Sequence, residues 1–179
     1  MGKKKLLILG HARHGKDTVS QFLNDMYGFT SQSSSVVAAQ EFLFDALKDK
    51  YGYTTFDECF ADRVNRRKEW YESICQYNTP DKARLAKVIM SKNDIYNGMR
   101  DNAELQSCLD QKVFDLVIGV YNPRQPLEPK ESFDINIWQV CDVVIPNGGT
   151  LAELENRIRN LKPLLFQPVL NHAELELTR

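Results

Sequence analysis

Leu6-Leu7-Ile8-Leu9-Gly10-His11-Ala12-Arg13-His14-Gly15-Lys16-Asp17-Thr18 decides how this chain folds. Four consecutive apolar residues stopped by a glycine predict a short strand buried on both faces. Val19, Phe22, Leu23 and Met26 follow at helical spacing. Strand, glycine-bounded loop and helix form the context in which a G-x-x-x-x-G-K sequence binds phosphate. Glycine at 10 and 15 lets backbone N–H groups approach phosphate oxygens with no Cβ in the way. The helix N-terminus adds positive partial charge at the same point. Lys16 is placed to reach the terminal phosphates of a bound nucleotide. Gly10, His11, Ala12, Arg13, His14, Gly15, Lys16, Asp17 and Thr18 are therefore the candidate nucleotide-binding residues.

The loop has one irregularity. A Ser or Thr normally follows the lysine and ligates Mg²⁺; here Asp17 follows, and Thr18 comes next. An aspartate still suits Mg²⁺, directly or through water, because the ion takes oxygen ligands. It also brings a negative charge close to a triphosphate, which the metal must compensate. No run of apolar residues ending in aspartate supplies a second acidic ligand: Leu116-Val117-Ile118 ends in Gly119, and Asp94 stands at the wrong end of its strand. His11 and His14 lie three apart inside the loop, but its backbone is committed to phosphate.

Outward from the loop, composition narrows the function classes. The chain has 179 residues, 42% of them hydrophobic, enough for one domain with a full core. Its net charge is −1, which gives no global field for nucleic acid. Lys3-Lys4-Lys5 runs into the first strand and reads as a solvated strand start. The apolar run behind it is too short for a signal peptide, and no stretch reaches bilayer length. Cys59, Cys75, Cys108 and Cys141 show no metal-ligand spacing and read as free thiols of a reducing cytoplasm.

Strand and helix signals alternate along the rest. A helix is expected over 16–27, closed by Gly28. A short strand is expected at 29–31, then a helix over 36–50 with its cap among Ser33, Ser34 and Ser35. Gly52 ends it. Helical segments follow at 56–60 and 62–77, and another with Thr79 as N-cap and Pro80 in its first turn. A strand at 94–97 leads to a helix capped by Asp101. The second strong strand is 114–121. The loop 122–134 carries Pro123, Pro126 and Pro129 and is expected to be irregular. A last strand at 142–145 precedes a helix with a Thr150/Glu153 capping box. Residues 163–179, with His172, lose periodicity and read as an arm or tail.

That alternation means an α/β fold with a mostly parallel sheet. Ligands bind such sheets at the carboxyl ends of the strands. The loops 10–17, 31–35, 98–101 and 121–134 then share one rim. Arg100 and Arg124 stand on it, and the guanidinium fork suits phosphate. Arg63, Arg66 and Arg67 form a third cationic group on the mid-chain helix. Phosphoryl transfer asks little covalent chemistry of a protein; it needs phosphates held in line and charge neutralised by Lys, Arg and Mg²⁺.

Three stretches together resemble the phage-type deoxynucleoside monophosphate kinases. Gly15-Lys16-Asp17-Thr18 resembles their Asp-bearing loop. Tyr96-Asn97-Gly98-Met99-Arg100, followed by Glu104, resembles their strand-end arginine segment. The third is the run from Val144 through Asn147-Gly148-Gly149-Thr150 to Leu154. The resemblance spans roughly residues 5–161. It implies a three-layer P-loop kinase fold, with the kinase domain at 1–162, a helical acceptor-binding insert at about 36–91 and a closing loop at about 122–134. It implies transfer of the γ-phosphoryl of ATP to a (deoxy)nucleoside monophosphate, with Mg²⁺ met by Asp17 and Thr18. Lys16 would hold donor phosphates, Arg100 would grip the acceptor phosphate and Arg124 would act from the closing loop. Ser34, Arg63 and Arg67 would lie at the acceptor. A viral source, and so a host cytoplasm, also comes from the resemblance alone. Phosphomevalonate-type and dephospho-coenzyme-A-type kinases carry related loops, so another small phosphorylated acceptor stays open, as does a nucleotide-binding module without catalysis. Trp70, Tyr71 and Trp138 suit a dimer face as readily as a core.

Overall fold

Leu6–Leu9 is strand β1, and all four side chains are fully buried. A central strand has both edges paired, and β1 does: β3 (Ile95–Asn97) pairs through Leu6↔Ile95, and β4 (Leu116–Tyr121) through Leu6↔Leu116. With β2 (Ser31–Ser33) and β5 (Val143–Pro146) the order is β2-β3-β1-β4-β5, every pairing parallel. The computed structural model describes residues 2–166.

Alternation along the strands divides the core in two. Leu7 and Leu9 point into one cluster with Val37, Leu43, Leu85, Ile89 and Leu105. Leu6 and Ile8 point into the other with Val19, Leu23, Leu154 and Ile158. Successive strand side chains face opposite sides, so one four-residue strand anchors both helical layers. The first layer includes α2 (Ser34–Ala38), α6 (Arg84–Lys92) and α7 (Asn102–Asp110). The second is α1 (Lys16–Tyr27) and α9 (Leu151–Asn160). The fold is a three-layer α/β sandwich of the kind the sequence predicts.

α2 runs on through a π-helical turn, Ala39–Leu43, into α3 (Phe44–Tyr51), which Gly52 closes at φ 71°. α4 (Phe56–Asp62) starts from a capping box in which Thr55 and Glu58 satisfy each other's backbone N–H. The segment expected as one helix over 62–77 is broken: α4 ends at Asp62 and α5 is Arg67–Tyr77. Asp62 causes the break, gathering the Asn65 amide, the Tyr53 hydroxyl and Arg66 Nε. Thr79 and Pro80 do not start α6, which begins at Arg84 with Ala83 as its cap. Asp81 takes the Ala83 N–H and Asn78 the Leu85 N–H, while Thr79 bonds back to Cys75.

β2 forms two residues later than expected, because Phe29 is spent in the second core and the pairing is Ser31↔Ile95. A short α8 (Ile137–Val140) precedes β5. Residues 163–166 are not tail: α10 (Lys162–Leu165) buries Leu165 completely, and Phe166 bridges Lys3. The rest of the expected tail, 167–179 with His172, lies outside the described residues. The four cysteines are free.

Candidate functional site

The loop after β1 is folded as a cradle. Gly10 and Gly15 hold φ of 152° and 98°, and Arg13 sits at 63°. A Cβ on Gly10 would stand 2.5 Å from the Val120 carbonyl oxygen, so only glycine lets the loop leave β1 beside β4. Lys16 Nζ donates to the His11 carbonyl at 2.8 Å, inside the loop it terminates. Burial lowers the Lys16 pKa, and the Arg100 charge lowers it further, against Asp17 and Glu128.

His11 and His14 do not turn to a metal. His14 is fully buried. Its Nδ1 accepts the Asn122 N–H at 3.1 Å, which leaves Nε2–H to donate toward the Pro126 carbonyl at 3.4 Å. His11 Nδ1 accepts the Glu128 N–H at 3.0 Å, and its ring packs on Phe133 at 4.5 Å. Burial, then the neighbouring His14, lowers the His11 pKa and keeps that nitrogen an acceptor. The two histidine side chains strap the 122–134 loop over the cradle.

Glu128 completes the strap. Its Oε2 accepts the Ala12 N–H at 2.5 Å and its Oε1 accepts Arg100 Nη1 at 2.5 Å. Burial raises the Glu128 pKa, but the Arg100 and Ala12 bonds, with the charges of Arg100 and Lys16, outweigh it and hold the carboxyl below its ordinary value.

Below the strap lies a cleft of about 730 Å³ reaching from Arg13, Lys16 and Asp17 to Tyr96 and Glu104. A second hollow of about 1020 Å³, under Lys130–Asp134, shares Arg13, Arg63, Tyr71 and Arg100 with it. Arg63 and Arg67 reach this space, Arg67 in the second hollow only. Arg66 does not: it pairs with Asp62 at 3.0 Å and stacks on Tyr51. The break after α4 thus splits the three arginines that a continuous helix would have put together. Arg63 donates to Ser35 and lies 5.9 Å from the Trp70 ring. Ser34 lines the cleft wall. Tyr71, Ile74 and Leu85 give it an apolar side, and Glu104 lies deep in it, accepting the Tyr96 hydroxyl at 3.0 Å. Burial pushes the Glu104 carboxyl up to about 7, Asp101 adding to the rise and Tyr96 opposing it.

Asp17 opens on the cleft, and its Oδ1 accepts Asn97 Nδ2 at 2.7 Å. Asn97, the last residue of β3, was not singled out as a site residue by the sequence reading. Its Oδ1 is buried with no partner, and such an orphan acceptor is ordinarily satisfied by water or an ion. The amide nitrogen faces Asp17, so of this pair the Asp17 carboxylate is the group that suits a hydrated Mg²⁺. Thr18 is not among the cleft-lining residues. Among the described residues, no three His, Cys, Asp or Glu side chains gather as a metal-binding group. Arg124 lines neither hollow; its backbone N–H bonds Asn122 Oδ1 at 2.9 Å.

The aromatic residues separate. Trp70 is core, Tyr71 lines the cleft and Trp138 is exposed against Tyr121. Among the described residues, no helix is long and apolar enough to cross a membrane. No family model matches the chain, and no curated protein matches it.

Proposed function

We propose that this protein is an ATP- and Mg²⁺-dependent (deoxy)nucleoside monophosphate kinase. One observation carries the reading: the glycine-bounded loop after β1 opens at the strand ends onto a cleft ringed by Arg13, Lys16, Arg63 and Arg100, with an apolar wall behind them. A nucleotide has that polarity, with phosphates at one end and a flat apolar ring at the other.

In this reading the loop N–H groups and Lys16 hold the donor phosphates. Arg100, Arg63 and Arg67 receive the acceptor phosphate, and Ser34 lies beside it. The acceptor base enters between Tyr71, Ile74 and Leu85, toward Glu104. Mg²⁺, held at Asp17, would neutralise charge on the transferred group; Thr18, outside the cleft lining, would reach it only if the loop shifts. Asn97 keeps Asp17 oriented. The strap excludes water, which otherwise competes as acceptor. Arg124 rides on the strap and would enter with its movement.

The test is ADP release with ATP and Mg²⁺ against dAMP, dGMP, dCMP, dTMP and their ribose counterparts, each alone. Release with one or a few acceptors supports the kinase. Lys16→Ala is expected to abolish it, and Arg100→Ala to raise the acceptor KM and lower kcat with ATP binding retained. Silence with all eight, with ATP still bound, would transfer the reading to another phosphorylated metabolite or to a nucleotide-binding module without catalysis.

A further inference from the structure

Glu128 reaches into the glycine-bounded loop after β1. Its two oxygens are shared between two different loops: one takes the Ala12 N–H of the cradle, the other takes Arg100 at the end of β3. Anchors on either side hold it there. His14 fixes the strap at Asn122 and Pro126, and His11 fixes the Glu128 backbone. Beyond it, the Asp134 N–H bonds the Arg100 carbonyl, and the Asp134 carboxylate takes the Asn102 N–H. Lys16, meanwhile, is folded back on His11.

We propose that Glu128 is a gate common to both phosphate subsites, and that its displacement couples donor binding to acceptor binding. This rests on the nucleotide reading above. A phosphate oxygen can reach the Ala12 N–H only if the carboxylate leaves. When it leaves, Arg100 keeps only the Ser132 carbonyl, at 3.3 Å, and its charge is free for the acceptor. An acceptor that draws Arg100 away weakens the gate from the other side. Each ligand therefore prepares the subsite of the other, and linkage requires the effect to be reciprocal. Charge-assisted bonds of this kind hold a closed state about tenfold over an open one, equivalent to about 1.4 kcal/mol. That population sets the ceiling on the coupling.

The experiment is calorimetric titration of the full chain with Mg²⁺ and β,γ-imido-ATP, with each of dAMP, dGMP, dCMP and dTMP, and with each in the presence of the other ligand. In the native protein, saturating imido-ATP is expected to tighten the bound monophosphate about tenfold, and the reverse titration to give the same factor. In Glu128→Gln, each ligand alone binds about tenfold tighter and the mutual effect falls to about twofold or less. Glu72→Gln removes an exposed carboxylate from α5, outside both hollows, and is expected to behave as the native protein. Equal coupling in the native protein and Glu128→Gln overturns the gate while leaving the nucleotide site standing. So does a Glu72→Gln that tightens binding as much as Glu128→Gln, because that is a general charge effect. If none of the three proteins binds either nucleotide, the site reading falls and the gate with it.

Discussion

Replacing Glu104 by glutamine is expected to make this protein more stable at pH 8 but not at pH 5. The carboxyl rises from 4.5 to about 7 on folding, because burial, with Asp101 beside it, penalises its charge more than the Tyr96 hydroxyl bond favours it. A folded-state pKa above the unfolded one means that the native protein binds the extra proton between those values. The group's contribution to stability is then fully present below about pH 4.5 and lost as pH climbs through 7. At about 1.36 kcal/mol per pH unit the whole span amounts to about 3 kcal/mol. The side chain keeps an edge on the cleft, where water screens it, so a loss of about 2 kcal/mol between pH 5 and pH 8 is the expected size. Glutamine keeps the acceptor for the Tyr96 hydroxyl and has no charge to bury. Urea unfolding of both proteins at pH 5, 6, 7 and 8 checks this, with the midpoint difference growing toward alkaline pH. If the two stability curves run parallel within about 0.5 kcal/mol, Glu104 is not desolvated, and the depth assigned to the cleft is wrong.

Other expectations are simpler. Gly10→Ala places a Cβ 2.5 Å from the Val120 carbonyl at a φ of 152°. Backbone strain alone costs on the order of 1–3 kcal/mol, so unfolding free energy is expected to drop by about 3 kcal/mol and nucleotide binding to vanish; a soluble variant with native urea midpoint would refute the cradle geometry. Thr55→Ala removes the cap of α4 and is expected to lower stability by about 1 kcal/mol, without changing nucleotide affinity measured by titration. Asn97→Ala frees Asp17 from its partner and is expected to raise the Mg²⁺ concentration needed for half-maximal nucleotide binding by roughly the tenfold range of an outer-shell ligand partner; an unchanged Mg²⁺ dependence would remove Asn97 from the site.

What the sequence made legible were features whose cause is local. The Gly28 closure of α1 and the Thr150/Glu153 box each depend on residues within one turn of one another, and both are formed; the cradle glycines are legible from their spacing ahead of α1, although what enforces Gly10 is the distant Val120 carbonyl. Thr55/Glu58 has the same spacing as Thr150/Glu153 and was as readable, yet no cap was assigned there. The failures have distant causes. Thr79-Pro80 is a good local start for a helix, but Asp81 also reaches Lys87 and Gln111, and that network sets where α6 begins. Arg66 is the exception: its partner Asp62 stands four residues earlier, a readable pair, and only the Tyr51 ring beneath it comes from another helix. Glu128 meets Ala12 across a separation of 116 residues, and its own loop has no periodicity to mark it. Asn97 was quoted within a motif, but its role depends on β3 lying beside β1.

The π-helical turn at Ala39–Leu43 has a consequence for chain length. Such a turn holds one residue more than an α-helix needs for the same advance. Taking one residue out of it would restore regular winding and rotate everything downstream by about 100°. Val37 before the turn and Leu47 after it, both buried in the first core, lie on opposite sides of that adjustment. Only with the extra residue do both face inward. The segment is therefore counted to the single residue, and a one-residue deletion there should damage the fold more than a conservative substitution at any position within it.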